Sequence, residues 1–217
     1  MNTEGPLREA LQQRRDYQGY PLREAELPSD PLVLFEQWFA DAVATGMEEP
    51  HAMTLATCSV DFKPSCRVVL LKDVEDGAFV FYTNYESRKG KELLWNPYAA
   101  LLFYWPPLSR QVRIEGRAEK LEAETSDAYF ASRPTGSQVA AVVSPQSAVI
   151  DDLEALRERC RQLEARQKPL SRPSYWGGYR IIPYQIEFWQ GQPNRLHDRI
   201  RYVHQGNALW KRERLAP

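Results

Sequence analysis

The chain has 217 residues, 28 of them basic and 29 acidic, for a formal net charge of -1. That length suits one domain able to bury a real core, and the balanced charge lacks the basic stripe of a nucleic-acid binder. Three cysteines, Cys58, Cys66 and Cys160, form no CxxC pair, and the three histidines are not spaced as ligands, so neither a disulfide framework nor a metal site is expected.

Residues 1–28 are polar and Arg-rich without a clear period, and read as an N-terminal arm ahead of a single domain over 29–217. The polar start Met1-Asn2-Thr3-Glu4-Gly5-Pro6 is not followed by a signal-peptide apolar run, and no segment is long enough to cross a bilayer, so a cytoplasmic protein without a membrane partner is expected. A helix is predicted next. Ser29-Asp30 caps it, Pro31 opens it and Gly46 lies past its end, with Leu34, Phe35, Trp38, Phe39 and Val43 toward the core. Strands are predicted at 53–60, 65–71 and 78–83, separated by turns at 61–64 and 75–77. A short helix opens at Ser87 and stops at Asn96-Pro97. Two strands follow, 99–105 and 111–121, around Pro106-Pro107. A helix over about 122–132 ends at Arg133-Pro134. Another, over about 151–167, carries Leu153, Leu156, Cys160 and Leu163 on one stripe. Two or three strands close the chain, with a hairpin turn at Gly191-Gln192-Pro193-Asn194. Many sequential short strands with few helices predict a mostly β fold with α additions, an antiparallel barrel.

Several groups of residues suggest chemistry. Alternation along a strand after the hairpin would point Arg195, His197 and Arg199 the same way, making an anion site with a titratable imidazole. Arg67-Val68-Val69-Leu70-Leu71-Lys72 is a strand with cationic ends, which regular alternation puts on opposite faces. Tyr82-Thr83-Asn84 followed by Ser87-Arg88-Lys89 offers a phosphate seat at a helix start, or an ordinary capped helix. Tyr129 and Arg133 share a helix face, and Ser137 follows after a turn, a set suited to a phosphate monoester or to a surface Tyr–Arg stack. Gln111, Gln146 and Ser147 can read the polar edge of a heteroaromatic ring or serve plain turns, and Trp189 can stack on a ring or fill the core. Taken together, two anion seats and polar groups for a flat ring suit two phosphorylated ring molecules. No GxGxxG or GxxxxGK[ST] pattern occurs.

These residues carry a family resemblance. Arg67-Val-Val-Leu-Leu-Lys72, Phe81-Tyr-Thr-Asn84, Ser87-Arg-Lys89, Leu102-Phe-Tyr-Trp105, Arg110-Gln-Val-Arg113, Ser132-Arg-Pro134, Ser174-Tyr-Trp-Gly-Gly178, Glu187-Phe-Trp-Gln-Gly191 and Arg195-Leu-His-Asp-Arg199 resemble the pyridoxamine/pyridoxine 5'-phosphate oxidase family. The resemblance runs from about Arg14 to Pro217, and the Arg195-to-Arg199 string is its most specific part. It implies an antiparallel split β-barrel with flanking helices. It also implies a homodimer with FMN at the interface, and a dimerisation and substrate region over about 174–217. The reaction implied is oxidation of pyridoxamine or pyridoxine 5'-phosphate to pyridoxal 5'-phosphate, with O2 reduced to H2O2. By the same resemblance, cofactor contacts fall on Arg67, Val68, Val69, Leu70, Leu71, Lys72, Tyr82, Thr83, Arg88, Lys89, Gln111, Gln146, Ser147, Trp189 and Arg199. Substrate contacts fall on Lys72, Tyr129, Arg133 and Ser137 around the phosphate and on Arg195, Leu196 and His197 around the ring, with Arg195 and His197 at the reacting centre. Arg14, Arg15, Asp16 and Tyr17 occupy the place of an arm that closes over the substrate. The competing readings are a non-catalytic barrel that binds FMN or pyridoxal phosphate, and a nicotinamide-driven flavin reductase.

Overall fold

The computed structural model describes residues 4–12 and 16–217; Arg14 and Arg15 of the expected arm lie outside the described residues. In chain order the elements are α1 (Glu4–Gln12), α2 (Pro31–Ala44), β1 (Ala52–Cys58), β2 (Pro64–Leu70), β3 (Asp73–Glu75), β4 (Ala78–Asn84), α3 (Arg88–Trp95), β5 (Tyr98–Trp105), β6 (Arg110–Lys120), α4 (Ala123–Ser132), α5 (Thr135–Val143), α6 (Leu153–Ala165), β7 (Trp176–Gln190), β8 (Asp198–His204) and β9 (Trp210–Arg214). The strands form one antiparallel sheet ordered β2-β1-β5-β6-β7-β4-β3, with β8 on β7 and β9 on β8. The expected mostly β architecture with helical additions is what the chain adopts.

The long strand β7 organises the sheet. On one side β6 runs along it from Tyr179 to Gln190. On the other side its first half pairs with β4, from Trp176↔Asn84 to Ile181↔Phe79, and its last part pairs with β8, from Gln185↔Val203 to Gln190↔Asp198. Pro183 falls in the gap between these two ladders, where a missing N–H interrupts neither. The register with β6 also shifts there, between Glu115 and Gly116, and such a bulge bends the strand. The sheet curls until β2 comes back against β4, although the two are not ladder neighbours. The barrel is therefore split along the β2–β4 seam.

Helix α2 fills the core. Asp30 accepts the Leu32 N–H at 2.9 Å, Pro31 opens the helix, and Gly46 adopts φ +72 beyond its end. Leu34, Phe35, Trp38 and Ala42 are buried. Phe35 meets Phe79 edge-on at 5.0 Å and Trp38 meets Phe188 at 5.2 Å. Burying side chains of this size stabilises by about 1.5–3 kcal/mol each. Val43, expected in the core, is 52% exposed. The buried stripe runs 34, 38, 42, and Val43 follows Phe39 onto its flank.

Two other expectations are corrected. Pro134-Thr135-Gly136 reads as a turn, yet α5 begins at Thr135 and packs against α6. Leu156, Cys160 and Leu163 of α6 are half-buried, while Leu153 is exposed. The β7–β8 connection is not a tight hairpin. A single 3-10 turn spans Pro193–Arg195, with Asn194 and Arg195 left-handed at φ 56 and φ 62, and the strand resumes only at Asp198. Arg195 and His197 are loop residues, so only Arg199 keeps the strand face that alternation assigned to all three.

The arm packs on this connection. Gly19 N–H donates to Gly191 O at 3.1 Å, and Leu22 N–H donates to Asp198 Oδ2 at 3.1 Å. Asp198 also accepts from Gln192 Nε2 at 2.9 Å and pairs with Arg214 at 2.5 Å. A Cβ on Gly191 would lie 2.7 Å from the Tyr17 ring. We expect Gly191→Ala to lift the arm without unfolding the barrel. Hydrogen exchange should show lost protection at Gly19 and Leu22 with the β5–β6 amides unchanged; full protection at both glycine-loop amides would contradict the contact.

Candidate active site

A cavity of about 580 Å³ opens along the β2–β4 seam. β2 contributes Arg67, Val68, Val69 and Leu70, and β4 contributes Tyr82, Thr83 and Asn84. Lys72 lines the same cavity as Arg67. Because β2 stops at Leu70, the alternation that would send Lys72 to the opposite face ends there. Leu71 does not line the cavity. Its side chain is in the core, and its N–H is spent on His51 O at 2.9 Å.

One end of the cavity is a cationic seat at the start of α3. Ser87 caps the helix, accepting the Gly90 N–H at 3.3 Å and donating to Asn84 O at 2.6 Å. Lys89 Nζ donates to Gln146 Oε1 at 3.1 Å, and Thr83 Oγ1 donates to the same oxygen at 3.3 Å. Gln146 therefore reaches the seat from the segment after α5, whereas its sequence reading was the edge of a heteroaromatic ring or a plain turn. Arg88 and Ser147 line an adjoining hollow that shares Gln146. Beneath them lies Glu92, a residue sequence reasoning passed over. It is 6% exposed and bridges Arg67 and Arg88. Burial pushes its carboxyl up, but hydrogen bonds from Thr57, Ser65, Arg88 and Arg67 outweigh this and hold it down at about 2. Burial and the neighbouring Arg67 push Lys89 down to about 8, with Glu92 acting the other way.

The second seat is aromatic and cationic. Tyr129 stacks on Tyr82 at 3.7 Å and lies parallel to Trp176. Arg133 caps α4 with its guanidinium 4.5 Å over the Trp176 ring. Its Nη1 is buried with no hydrogen-bond partner among the described residues, and burial lowers its affinity for the proton. A buried, unpaired guanidinium is stabilised by an anion that accepts from it. Ser137 stands in the first turn of α5, where free N–H groups and the helix dipole add to the same field. Trp176 stands in the Ser174-to-Gly178 string of the resemblance, but the sequence reading gave it no role.

The remaining expected residues gather elsewhere. Gln111, Trp189 and Arg199 are register partners across β6, β7 and β8, so their side chains form a row on one face. Buried Glu187 holds that row, accepting from Arg199 Nε and Arg113 Nη2, each at 2.7 Å. Arg195 and Leu196 are exposed. His197 Nδ1 accepts the Gln192 N–H at 3.1 Å. The neutral ring must then carry its proton on Nε2. Burial and then Arg195 lower its pKa, which favours that neutral ring. Trp189 lies 4.6 Å from His197, and Tyr17 meets both edge-on at 5.5 and 5.4 Å. This group and Trp176 sit at opposite ends of β7, on the order of 40 Å apart along the strand path at about 3.3 Å per residue. One chain therefore presents two separate groups of candidate residues.

Among the described residues no cluster suits a metal ion, and no helix is long and apolar enough to cross a membrane. Residues 39–167 match the family model described as pyridoxamine 5'-phosphate oxidase, and residues 176–217 match that of the pyridoxine 5'-phosphate oxidase C-terminal dimerisation region. A pyridoxine/pyridoxamine 5'-phosphate oxidase of Chromohalobacter salexigens is 53% identical over 207 residues, covering 94% of this chain and 96% of its own. One from Pseudomonas paraeruginosa is 54% identical over 209 residues with the same coverage. Among solved structures, PhzG of Burkholderia lata in complex with tetrahydrophenazine-1-carboxylic acid superposes with a TM-score of 0.87 at 35% identity, covering 92% of this chain and 99% of that one.

The Lys89 environment generates a test. A phosphate monoester is a dianion above about pH 7, and binding it stabilises charged Lys89. Its affinity should therefore hold below pH about 8 and fall as pH rises through that value, where the free protein loses the proton. Calorimetric titration with a phosphate monoester should show this fall, with proton uptake, and Lys89→Arg should flatten it. A flat wild-type profile would remove Lys89 from the seat.

Proposed function

The chain belongs to the pyridoxamine 5'-phosphate oxidase family, and from that premise we propose how its residues oxidise pyridoxamine and pyridoxine 5'-phosphate to pyridoxal 5'-phosphate. It is an FMN-dependent oxidoreductase that acts on a small-molecule substrate as a homodimer. The observation that carries this reading is a single cavity holding two separately built anion seats. Two phosphorylated rings, cofactor and substrate, are what such a cavity fits.

The residues suit FMN. Arg67, Lys89 and Ser87, with Arg88 alongside, form the seat for its phosphate, and buried Thr83 and exposed Gln146 stand beside it. Bound FMN supplies the two-electron acceptor, which no protein side chain provides. We assign Lys72, Tyr129, Arg133 and Ser137 to the substrate phosphate. That group is remote from the reacting carbon, so its binding energy is available to fix the ring in a reactive pose. Gln111, Trp189, Arg199, Arg195 and His197 do not line that cavity within one chain. We propose that a second copy brings them across, which places FMN at the interface and makes each site a product of both subunits. Tyr17, packed on Trp189 and His197, then covers the entrance from the arm.

His197 acts in this reading as a neutral Nε2–H donor to a substrate oxygen, since its Nδ1 is committed to Gln192. Arg195 supplies the fixed positive charge beside it. Dioxygen is the proposed final acceptor, released as hydrogen peroxide. A cytoplasmic setting belongs to the same proposal and rests on the free thiols of Cys58, Cys66 and Cys160.

Anaerobic addition of pyridoxamine 5'-phosphate to the yellow protein should bleach the flavin. An unchanged spectrum would point to a binder, and bleaching only with NADH or NADPH to a reductase. In steady-state kinetics, Arg133→Ala should raise KM by about 10- to 100-fold with little change in kcat, as expected for losing one charge-assisted contact. Arg195→Ala should also cut kcat; normal turnover there would take Arg195 away from the reacting centre.

A further inference from the structure

We propose that Glu92 is the positioning residue of the FMN phosphate seat, a buried carboxylate that aligns Arg67 with Arg88 and matches the charge of the seat to a phosphate dianion. The inference rests on the FMN reading above and goes beyond it in naming what builds the seat. Glu92 lies on the inward face of α3, four residues after Arg88, and its side chain is 6% exposed. Oε1 accepts from Arg88 Nε at 2.9 Å. Oε2 accepts from Ser65 Oγ at 2.7 Å, from Arg67 Nη2 at 3.3 Å and from Thr57 Oγ1.

The hydroxyls of Thr57 and Ser65 work in two directions. Each accepts from Arg67, through Nη1 and Nη2 at 2.5 Å, and each donates to Glu92. Arg67 Nη1 also donates to Leu55 O at 3.1 Å. The four terminal N–H groups of Arg67 are thus all committed to protein acceptors, which fixes the plane of the guanidinium and leaves Nε–H and the charge itself for a ligand. The anchor reaches across elements, joining β1 and β2 to α3, so it sets the spacing between cations that sequence places far apart.

Charge bookkeeping gives the second reason. Arg67, Arg88 and Lys89 together are three cations in a partly buried space. Unopposed, they repel one another and disfavour the charged state of Lys89. One buried carboxylate reduces the excess to two, the charge of a phosphate monoester near neutral pH. A carboxylate so near an anion site costs affinity unless it pre-organises the cations, because its own field repels the ligand. That opposition makes the proposal testable in sign.

The experiment uses the full chain stripped of flavin, titrated with FMN and with riboflavin, which lacks the phosphate, by flavin fluorescence. Glu92→Leu should weaken FMN by about 30-fold and riboflavin by less than about 3-fold, the size expected for disordering charge-assisted contacts to one group. Glu92→Gln, which retains one acceptor oxygen, should fall between wild type and Glu92→Leu. The ³¹P resonance of bound FMN should shift in both variants. Equal weakening for both flavins would make Glu92 a general structural prop, and unchanged or tighter FMN binding would make it a simple repeller; either overturns the proposal. If Glu92→Leu does not fold, the FMN-to-riboflavin ratio of Glu92→Gln decides alone. Wild-type protein that binds neither flavin would instead overturn the functional reading.

Discussion

Everything in this molecule is positioned by the way β7 divides its hydrogen bonding. A strand of 15 residues has two edges to satisfy along its whole length. β6 satisfies one edge. The other is shared, first by β4 and then by β8, with Pro183 at the changeover. This division turns β4 toward β2, where no ladder closes the barrel and a cavity remains. It also carries β8, β9 and their attached loop to the far end, where Trp189, His197 and Arg199 gather.

Such a site must hold several guanidinium and ammonium groups close together before any anion arrives. The fold does so at three places. Glu92 binds two arginines through a carboxylate that stays ionised because four donors outweigh its burial. Glu187 pairs with two arginines as well, Arg113 and Arg199, at the other end of β7. Arg133 instead rests on the face of Trp176, with one nitrogen left without a protein acceptor. The first two solutions fix direction strongly and spend charge. The third keeps the full charge available, at the cost of a desolvated donor that only a ligand relieves. The proposed assignment of the cofactor to Arg67 and Arg88 and of the exchanging substrate to Arg133 comes from the family resemblance and agrees with that difference: a permanent guest suits a rigid seat, and a transient one suits a seat with unspent binding capacity.

The elements legible in the sequence were those with local signals. Asp30-Pro31 and Ser87 announce α2 and α3 because capping chemistry acts within one turn. The strands follow from alternation between recognisable turns. Failures came where distant parts of the chain override local rules. The left-handed pair Asn194-Arg195 breaks the alternation that should have aligned Arg195, His197 and Arg199, and Asn is common in that conformation without requiring it. The early end of β2 brings Lys72 round to Arg67. α5 starts directly behind Pro134 and takes in Gly136, two residues that usually mean a turn. Glu92 and Glu187 resemble any surface carboxylate, since glutamate is rarely buried; only the register of β6, β7 and β8 and the packing of α3 reveal what lies over them. The row of Gln111, Trp189 and Arg199 was assembled from resemblance, and its common face is a property of pairing that no single segment encodes.

Asp198 ties together Leu22 near one terminus, Gln192 in the loop and Arg214 near the other, while Arg199 Nη1 reaches Ala216 O at 2.9 Å. Leu22, Arg214 and Ala216 are thereby fastened to the same short stretch that carries His197. A fusion joined directly behind Ala216 would bear on that stretch, so an internal loop such as the one between β8 and β9 is the sounder place for a purification handle.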